Sequence, residues 1–115
     1  MDTRCTLKQN SDFRRLYAKG KSVVTPYMVL YCRRNSLGVN RLGYTVSTKL
    51  GHAVVRHRVR RRLREIYRLN SPAMKAGFDI VVVARSRCVG ARYAKMNAVF
   101  LEACGTLGLL KEDRA

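Results

Sequence analysis

Apolar positions along the chain follow two rhythms, and the order in which they alternate predicts the elements. A short helix is expected after Asn10 or Ser11, whose side chains can accept from amides of the opening turn; Asp12 suits the positive end of its dipole, and Gly20 ends it after Lys19. Lys21 to Val24 reads as a short strand, Pro26 interrupts it, and Tyr27 to Arg33 reads as a longer strand rich in aromatic and branched residues, followed by the turn Asn35-Ser36-Leu37-Gly38. Arg41 to Ser47 alternates with period two, placing Leu42, Tyr44 and Val46 on one face and Gly43, Thr45 and Ser47 on the other. The rhythm then turns helical: Val55, Val59, Leu63 and Ile66 line one stripe of a helix over about 53–69, which Asn70-Ser71-Pro72 ends. Phe78 to Ala84 is an apolar run of strand length, and Arg92 to Cys104 has a helical pattern before a tail interrupted by Gly105 and Gly108.

The order αβββαβα within 115 residues fits one α/β (α+β) domain spanning 1–115, with no linker, repeat or low-complexity segment to divide it. A chain of this size buries roughly two thirds of its unfolded surface.

Charge narrows the function. Lys and Arg number 24 against 7 Asp and Glu, a formal net charge of +17, which implies an acidic partner: nucleic acid or an anionic membrane. From Phe13 to Leu63 there is no acidic residue at all. Arginine outnumbers lysine, and the planar guanidinium suits bidentate phosphate contacts and stacking on bases, which favours nucleic acid. No apolar run approaches the ~20 residues of a membrane span, and Met1-Asp2-Thr3-Arg4 lacks the apolar centre of a signal peptide, so a soluble cytoplasmic protein without a membrane partner is expected.

The arginine-rich stretch from Arg56 to Glu65 keeps its apolar stripe, which a disordered basic tail would not need. At 100° per residue Arg56, Arg60 and Arg64 form a ridge beside the stripe, while His57, Arg61 and Arg68 lie on the outward side. Glu65 can relieve only part of the repulsion, through Arg61, Arg62 or Arg68, so uncompensated rows are expected to face RNA phosphates. An ordinary solvated basic face is the bland alternative.

A second candidate site comes from aromatics. Met28, Leu30 and Cys32 supply one core face of the long strand, so Tyr27, Val29 and Tyr31 are expected on its other face, beside Thr45 and Ser47 if the strands pair. With Phe13 and Tyr17 four apart on the first helix, this makes a groove suited to an unpaired RNA strand, although core packing would account for Phe13 and Tyr17 equally well.

No catalytic group assembles: Asp12 and Asp79 read as helix-start and strand-start residues, Glu65 sits among arginines, and Glu102 lies on the last helix. Cys5, Cys32, Cys88 and Cys104 form no Cys-x-x-Cys pair and read as reduced thiols. His52 and His57 point about 140° apart on an ideal helix, which argues against a zinc site.

The run from Gly43-Tyr44-Thr45-Val46-Ser47-Thr48-Lys49-Leu50-Gly51-His52 through Arg56-His57-Arg58-Val59-Arg60-Arg61-Arg62-Leu63-Arg64-Glu65 resembles the signature of the bacterial ribonuclease P protein subunit, with matching segments at Leu7 to Phe13 and Phe78 to Arg85. The resemblance implies a two-layer, ribosomal-protein-like sandwich with a four-stranded mixed sheet and a left-handed βαβ crossover through the arginine helix. It implies a protein that binds the catalytic RNA of ribonuclease P and the 5′ leader of precursor tRNA, the RNA and its Mg²⁺ ions performing the cleavage. By matching positions, Phe13, Tyr17 and Tyr31 fall on the leader cleft, and Lys49, Arg56, Arg58, Arg60 and Arg64 on the basic rim. His57 stands where the family motif usually has Asn; gaining a proton there would strengthen RNA binding, an expectation that a His57→Asn variant with unchanged pH dependence would remove. A ribosomal-type RNA-binding protein, and less so a DNA-binding regulator using the arginine helix, are the rival readings.

Overall fold

The computed structural model describes Thr6, Leu7 and residues 10–111. Its elements follow the predicted order: α1 (Asn10–Lys19), β1 (Lys21–Val24), β2 (Met28–Arg34), β3 (Arg41–Thr45), α2 (Ala53–Asn70), β4 (Phe78–Ala84) and α3 (Tyr93–Thr106), with single 3-10 turns at Thr48–Leu50, Ser71–Ala73 and Ser86–Cys88. The fold is α+β, with a mixed four-stranded sheet of order β1-β2-β4-β3. β4 pairs antiparallel with β2 and parallel with β3, so α2 is the crossover that joins two parallel neighbours.

Alternation along β2 and β4 divides the core in two. Met28, Leu30, Cys32, Ile80, Val82 and Ala84 face α2 and α3, meeting Val59, Leu63 and Ile66 from α2 and Met96, Phe100 and Cys104 from α3. The predicted stripe of the arginine helix is therefore what docks it. On the opposite face a smaller cluster of Leu7, Leu16 and Val81 seats α1, with Phe13, Tyr31 and Val83 packed around it. Thr6 bridges to Leu42 in parallel and the Leu7 amide donates to the Leu42 carbonyl at 2.9 Å, so these two residues lie along the open edge of β3.

Several boundaries differ from expectation, each for a local reason. β2 begins at Met28 because the Thr25 hydroxyl accepts from the amides of Tyr27 (3.3 Å) and Met28 (3.0 Å), holding Tyr27 in a turn. β3 stops at Thr45 because the Ser47 side chain accepts from the Lys49 amide and opens the 3-10 turn. α3 runs through Gly105 to Thr106; it ends where Gly108 takes φ 74°, a left-handed conformation that glycine adopts without strain, letting the Leu109 amide donate to the Cys104 carbonyl at 2.8 Å and Leu109 bury fully. No helix among the described residues is long and apolar enough to cross a membrane.

Candidate nucleic-acid interface

The pairing register lays two cross-strand rows on the α1 face. One row is Ser22, Tyr31, Val81 and Gly43; the next is Val24, Val29, Val83 and Thr45. α1 packs on the first. Gly43 makes this possible by its size: a Cβ there would stand 2.7 Å from Phe13 Cζ and 3.3 Å from Leu7 Cβ, so only glycine leaves room for the tip of the Phe13 ring against β3. The second row, from exposed Val24 to part-buried Thr45, is left as the floor of a cleft beside α1.

Aromatic side chains form the wall between the two rows. The Tyr17 and Tyr31 rings meet edge to face with centroids 4.9 Å apart, and the Tyr17 hydroxyl lies 3.1 Å from Thr45 Oγ1. Tyr17 remains 43% exposed although it makes both contacts, so its ring is held in place yet open to a ligand. Asn10, Phe13, Arg14, Tyr17 and Thr45 line a depression of about 400 Å³ at this wall.

Phe13, Tyr17, Val29, Tyr31 and Thr45 are thus brought together as expected, and two residues are not. Tyr27 lies in the turn before β2 and packs against the larger core cluster instead of sharing a face with Val29 and Tyr31. Ser47 caps the 3-10 turn and lines a separate depression of about 310 Å³ with Lys49, Leu50, Ala84, Arg85, Ser86 and Arg87. Sequence reasoning missed Val24 and Val83 in the floor, and Arg85 and Arg87 at its end. Arg85 and Arg87 carried a legible signal, two cations just past a buried strand, but their proximity to Lys49 depends on the parallel pairing of β3 with β4.

The arginines of α2 divide into free and engaged groups. His57, Arg58, Arg61, Arg64 and Arg68 are exposed, and Arg56 and Arg60 are partly buried beside the stripe. Arg56 Nε donates to the Gly51 carbonyl at 3.3 Å, fastening the loop before the helix. Arg62 donates to the Ala91 carbonyl at 3.0 Å, tying α2 to the start of α3. Arg68 and Glu65 form a two-pronged pair, 2.7 Å at the closer contact, which draws the exposed Glu65 carboxyl below its ordinary value. Arg58, Arg60, Arg61 and Arg64 make no ion pair among the described residues, so four guanidiniums on one helix remain uncompensated.

The family model for ribonuclease P matches residues 1–108. The chain belongs to the ribonuclease P protein family. Among curated relatives described as ribonuclease P protein component, one from Natranaerobius thermophilus is 43% identical over 108 residues, 94% of each chain. Another, from Clostridium acetobutylicum, is 41% identical over 109 residues, 93% of this chain and 92% of the relative. The solved RNase P protein of Staphylococcus aureus superposes with a TM-score of 0.84 at 30% identity, covering 93% of this chain and 98% of that one. That of Thermotoga maritima gives 0.78 at 32% identity, over 84% and 92%.

In this member of the ribonuclease P protein family Asp79 and Asp12 act within the fold. Arg41 Nε and Nη2 each donate to Asp79 at 2.7 Å, Asn35 donates to the same carboxylate at 2.9 Å, and Arg41 also approaches Asp12 on α1 at 3.9 Å. Burial pushes the Asp79 carboxyl up, but the hydrogen bonds from Arg41 and Asn35 outweigh it and hold the group below the usual carboxylate value. Among the described residues no three His, Cys, Asp or Glu side chains gather, and the one carboxylate pair that comes close shares an arginine. Asp12 and Asp79, both approached by Arg41, are thus not free in the way that a carboxylate ligand of Mg²⁺ must be. Cys32, Cys88 and Cys104 are buried free thiols, burial together with neighbouring Cys32 pushing Cys104 up to about 12, which makes it a poor nucleophile; Cys5 lies outside the described residues.

Proposed function

We propose that this chain binds the catalytic RNA of ribonuclease P through α2 and holds the 5′ leader of precursor tRNA in the cleft beside α1, assisting removal of the leader without chemistry of its own. The observation that carries the reading is the separation of two surfaces: an aromatic-walled groove with a small polar side, and a helix bearing four uncompensated arginines. The groove suits successive bases of an unpaired strand, because stacking on Tyr17, Tyr31 and Phe13 needs no base-specific contact and Arg14 stands beside it for the backbone. Lys49, Arg85 and Arg87 continue the positive track past the floor. Arg56, Arg58, Arg60, Arg61 and Arg64, with His57, supply the phosphate contacts to the catalytic RNA, while Arg62 and Arg68 serve chiefly to shape the helix surface. In this reading the Mg²⁺ ions that the reaction requires sit on the RNA, and the commitment of Asp12 and Asp79 to Arg41 supports it.

Single-turnover cleavage of a precursor tRNA by a bacterial ribonuclease P RNA at low Mg²⁺, with and without the protein, tests this reading. Strong rescue by the protein, with an inert protein-only control, is the expected result. Tight RNA binding without rescue would move the assignment to a purely structural RNA-binding role, and cleavage by the protein alone would mean that an active site has been overlooked.

A further inference from the structure

A third pocket, bordered by Arg64 of the α2 surface but otherwise unused above, lies on the α2 side of the sheet at the β3 edge. Leu42, Tyr44, Tyr67, Asn40, Thr6, Arg64 and Arg68 line about 290 Å³, at the lower end of small-molecule sites, so it accommodates one ring system and not a whole nucleotide. Its apolar lining comes from Leu42 and the two tyrosines, and exposed Arg64 and Arg68 stand at its rim. The Tyr44 hydroxyl makes no hydrogen bond among the described residues. Burial, aided by nearby Tyr67 and opposed by Arg64, pushes that phenol well up, so it stays a neutral donor. Arg64 is also the last member of the ridge that runs from Arg56 through Arg60, so a strand whose phosphates follow the ridge arrives at the rim of the pocket.

We propose that this pocket receives one unstacked base of an RNA strand lying along α2, its ring against Leu42, Tyr44 and Tyr67 and its adjoining phosphate on Arg64. The occupant is a nucleobase because the site joins an apolar slot for a flat ring to an unpaired guanidinium; an apolar peptide side chain would fill the slot and leave the cation unanswered. The Tyr44 hydroxyl donates to the edge of the base. This inference rests on the RNA-binding role proposed for α2.

The test is base-edge chemical probing of a bacterial ribonuclease P RNA in complex with the wild-type protein, with Thr6→Trp, which fills the pocket, and with Tyr44→Phe, which removes only the hydroxyl. The expected result is an unpaired nucleotide shielded by the wild type, re-exposed by Thr6→Trp with affinity reduced roughly ten-fold, and partly re-exposed by Tyr44→Phe. Backbone protection along α2 should persist in all three. Identical base reactivities with affinities within about two-fold, on the scale of a lost stacking contact, would overturn the inference while leaving the α2 interface standing. Absence of backbone protection by the wild type would instead remove that interface and the inference with it. If circular dichroism shows Thr6→Trp to be misfolded, Tyr44→Phe decides alone. A change in self-association between wild type and Thr6→Trp, without any change in the RNA, would assign the pocket to a second copy of the chain and overturn the base proposal.

Discussion

On the α2 side of the sheet a continuous core runs from Met28 to Leu109, and the arginines project from the outer surface of a helix that this core holds firmly. On the α1 side the buried hydrophobic cluster among the described residues is Leu7, Leu16 and Val81 alone, and the aromatics that form the cleft wall are also the residues that fasten α1 to the sheet. Between the arginines of α2 and the aromatics of the cleft, packing and recognition are therefore carried by different residues in the first case and by the same residues in the second. A ligand surface on a well-buried helix tolerates change at its tips. A cleft whose wall is part of a thin core does not, because each substitution alters both the seat of the helix and the shape of the groove.

The largest expected effect separates the two cores. Leu63→Ala, in the α2 face, should cost about 3–4 kcal/mol, and Leu16→Ala under α1 about 2–3 kcal/mol, because the smaller cluster can collapse further around the missing atoms. Urea denaturation monitored by circular dichroism measures both. A Leu16→Ala cost equal to or above that of Leu63→Ala would show the α1 seat to be as rigid as the main core.

Asp79→Asn probes what else holds α1 in place. The carboxylate is 13% exposed and takes three hydrogen bonds, and Arg41 reaches from it to Asp12 on α1, so the loss at neutral pH should be about 2 kcal/mol. Its folded pKa lies below the unfolded value of about 4, so the contribution is present above that value and fades as pH falls through the lower folded one. Wild type should therefore lose more stability than Asp79→Asn on acidification in that window. Parallel acid limbs for the two proteins would disconnect this carboxylate from folding.

How much of this was legible depended on whether a feature is local. The stripe of Val59, Leu63 and Ile66, the face division of β2 and the span of β4 follow from periodicity within one element, and the structure keeps them. The cleft was legible only as far as alternation reached. Tyr27 departs because Thr25 captures two amides and makes a turn, a side-chain competition that an alternation count does not register. Val24 and Val83 join Val29 and Thr45 only through strand pairing, and Gly43 read as one of a small polar set when its role is to leave room for Phe13 from another element. Arg62 looked like its neighbours because its partner, the Ala91 carbonyl, is brought up by the docking of α2, whereas Arg68 was one of three candidates for Glu65 and the rotamers select it.

Two substitutions sharpen the claim that wall and seat coincide. Tyr31→Ala removes a ring that Tyr17 leans on and should weaken binding of a precursor tRNA with a long leader about ten-fold, the scale of one stacked base, with little change for leaderless tRNA. Gly43→Ala leaves every aromatic intact but forces the tip of the Phe13 ring to move; it should cost about 1–2 kcal/mol of stability and produce the same leader-selective loss. Equal losses on both substrates would take the leader out of the cleft. A leader effect for Tyr31→Ala without one for Gly43→Ala would place Phe13 in the packing alone.

The smallest effect lies within α2, between an arginine with no ion pair and one engaged by the fold. Arg60 is partly buried on the ridge and makes no ion pair among the described residues, whereas Arg62 donates to the Ala91 carbonyl. Arg60→Ala should flatten the dependence of RNA affinity on salt by about one in the log–log slope, the signature of one lost phosphate contact, and leave the denaturation midpoint nearly unchanged. Arg62→Ala should do the reverse: the slope stays, and stability falls by about 1 kcal/mol as the link to α3 is lost. Affinity titrations across a range of potassium chloride concentrations, paired with urea melts, measure both quantities on the same proteins. If the slopes came out exchanged, with Arg62 carrying the phosphate and Arg60 the stability, the bond to Ala91 would have to give way when RNA binds. The α2 surface would then share the double duty of the cleft, and the contrast between the two faces of the sheet would not hold.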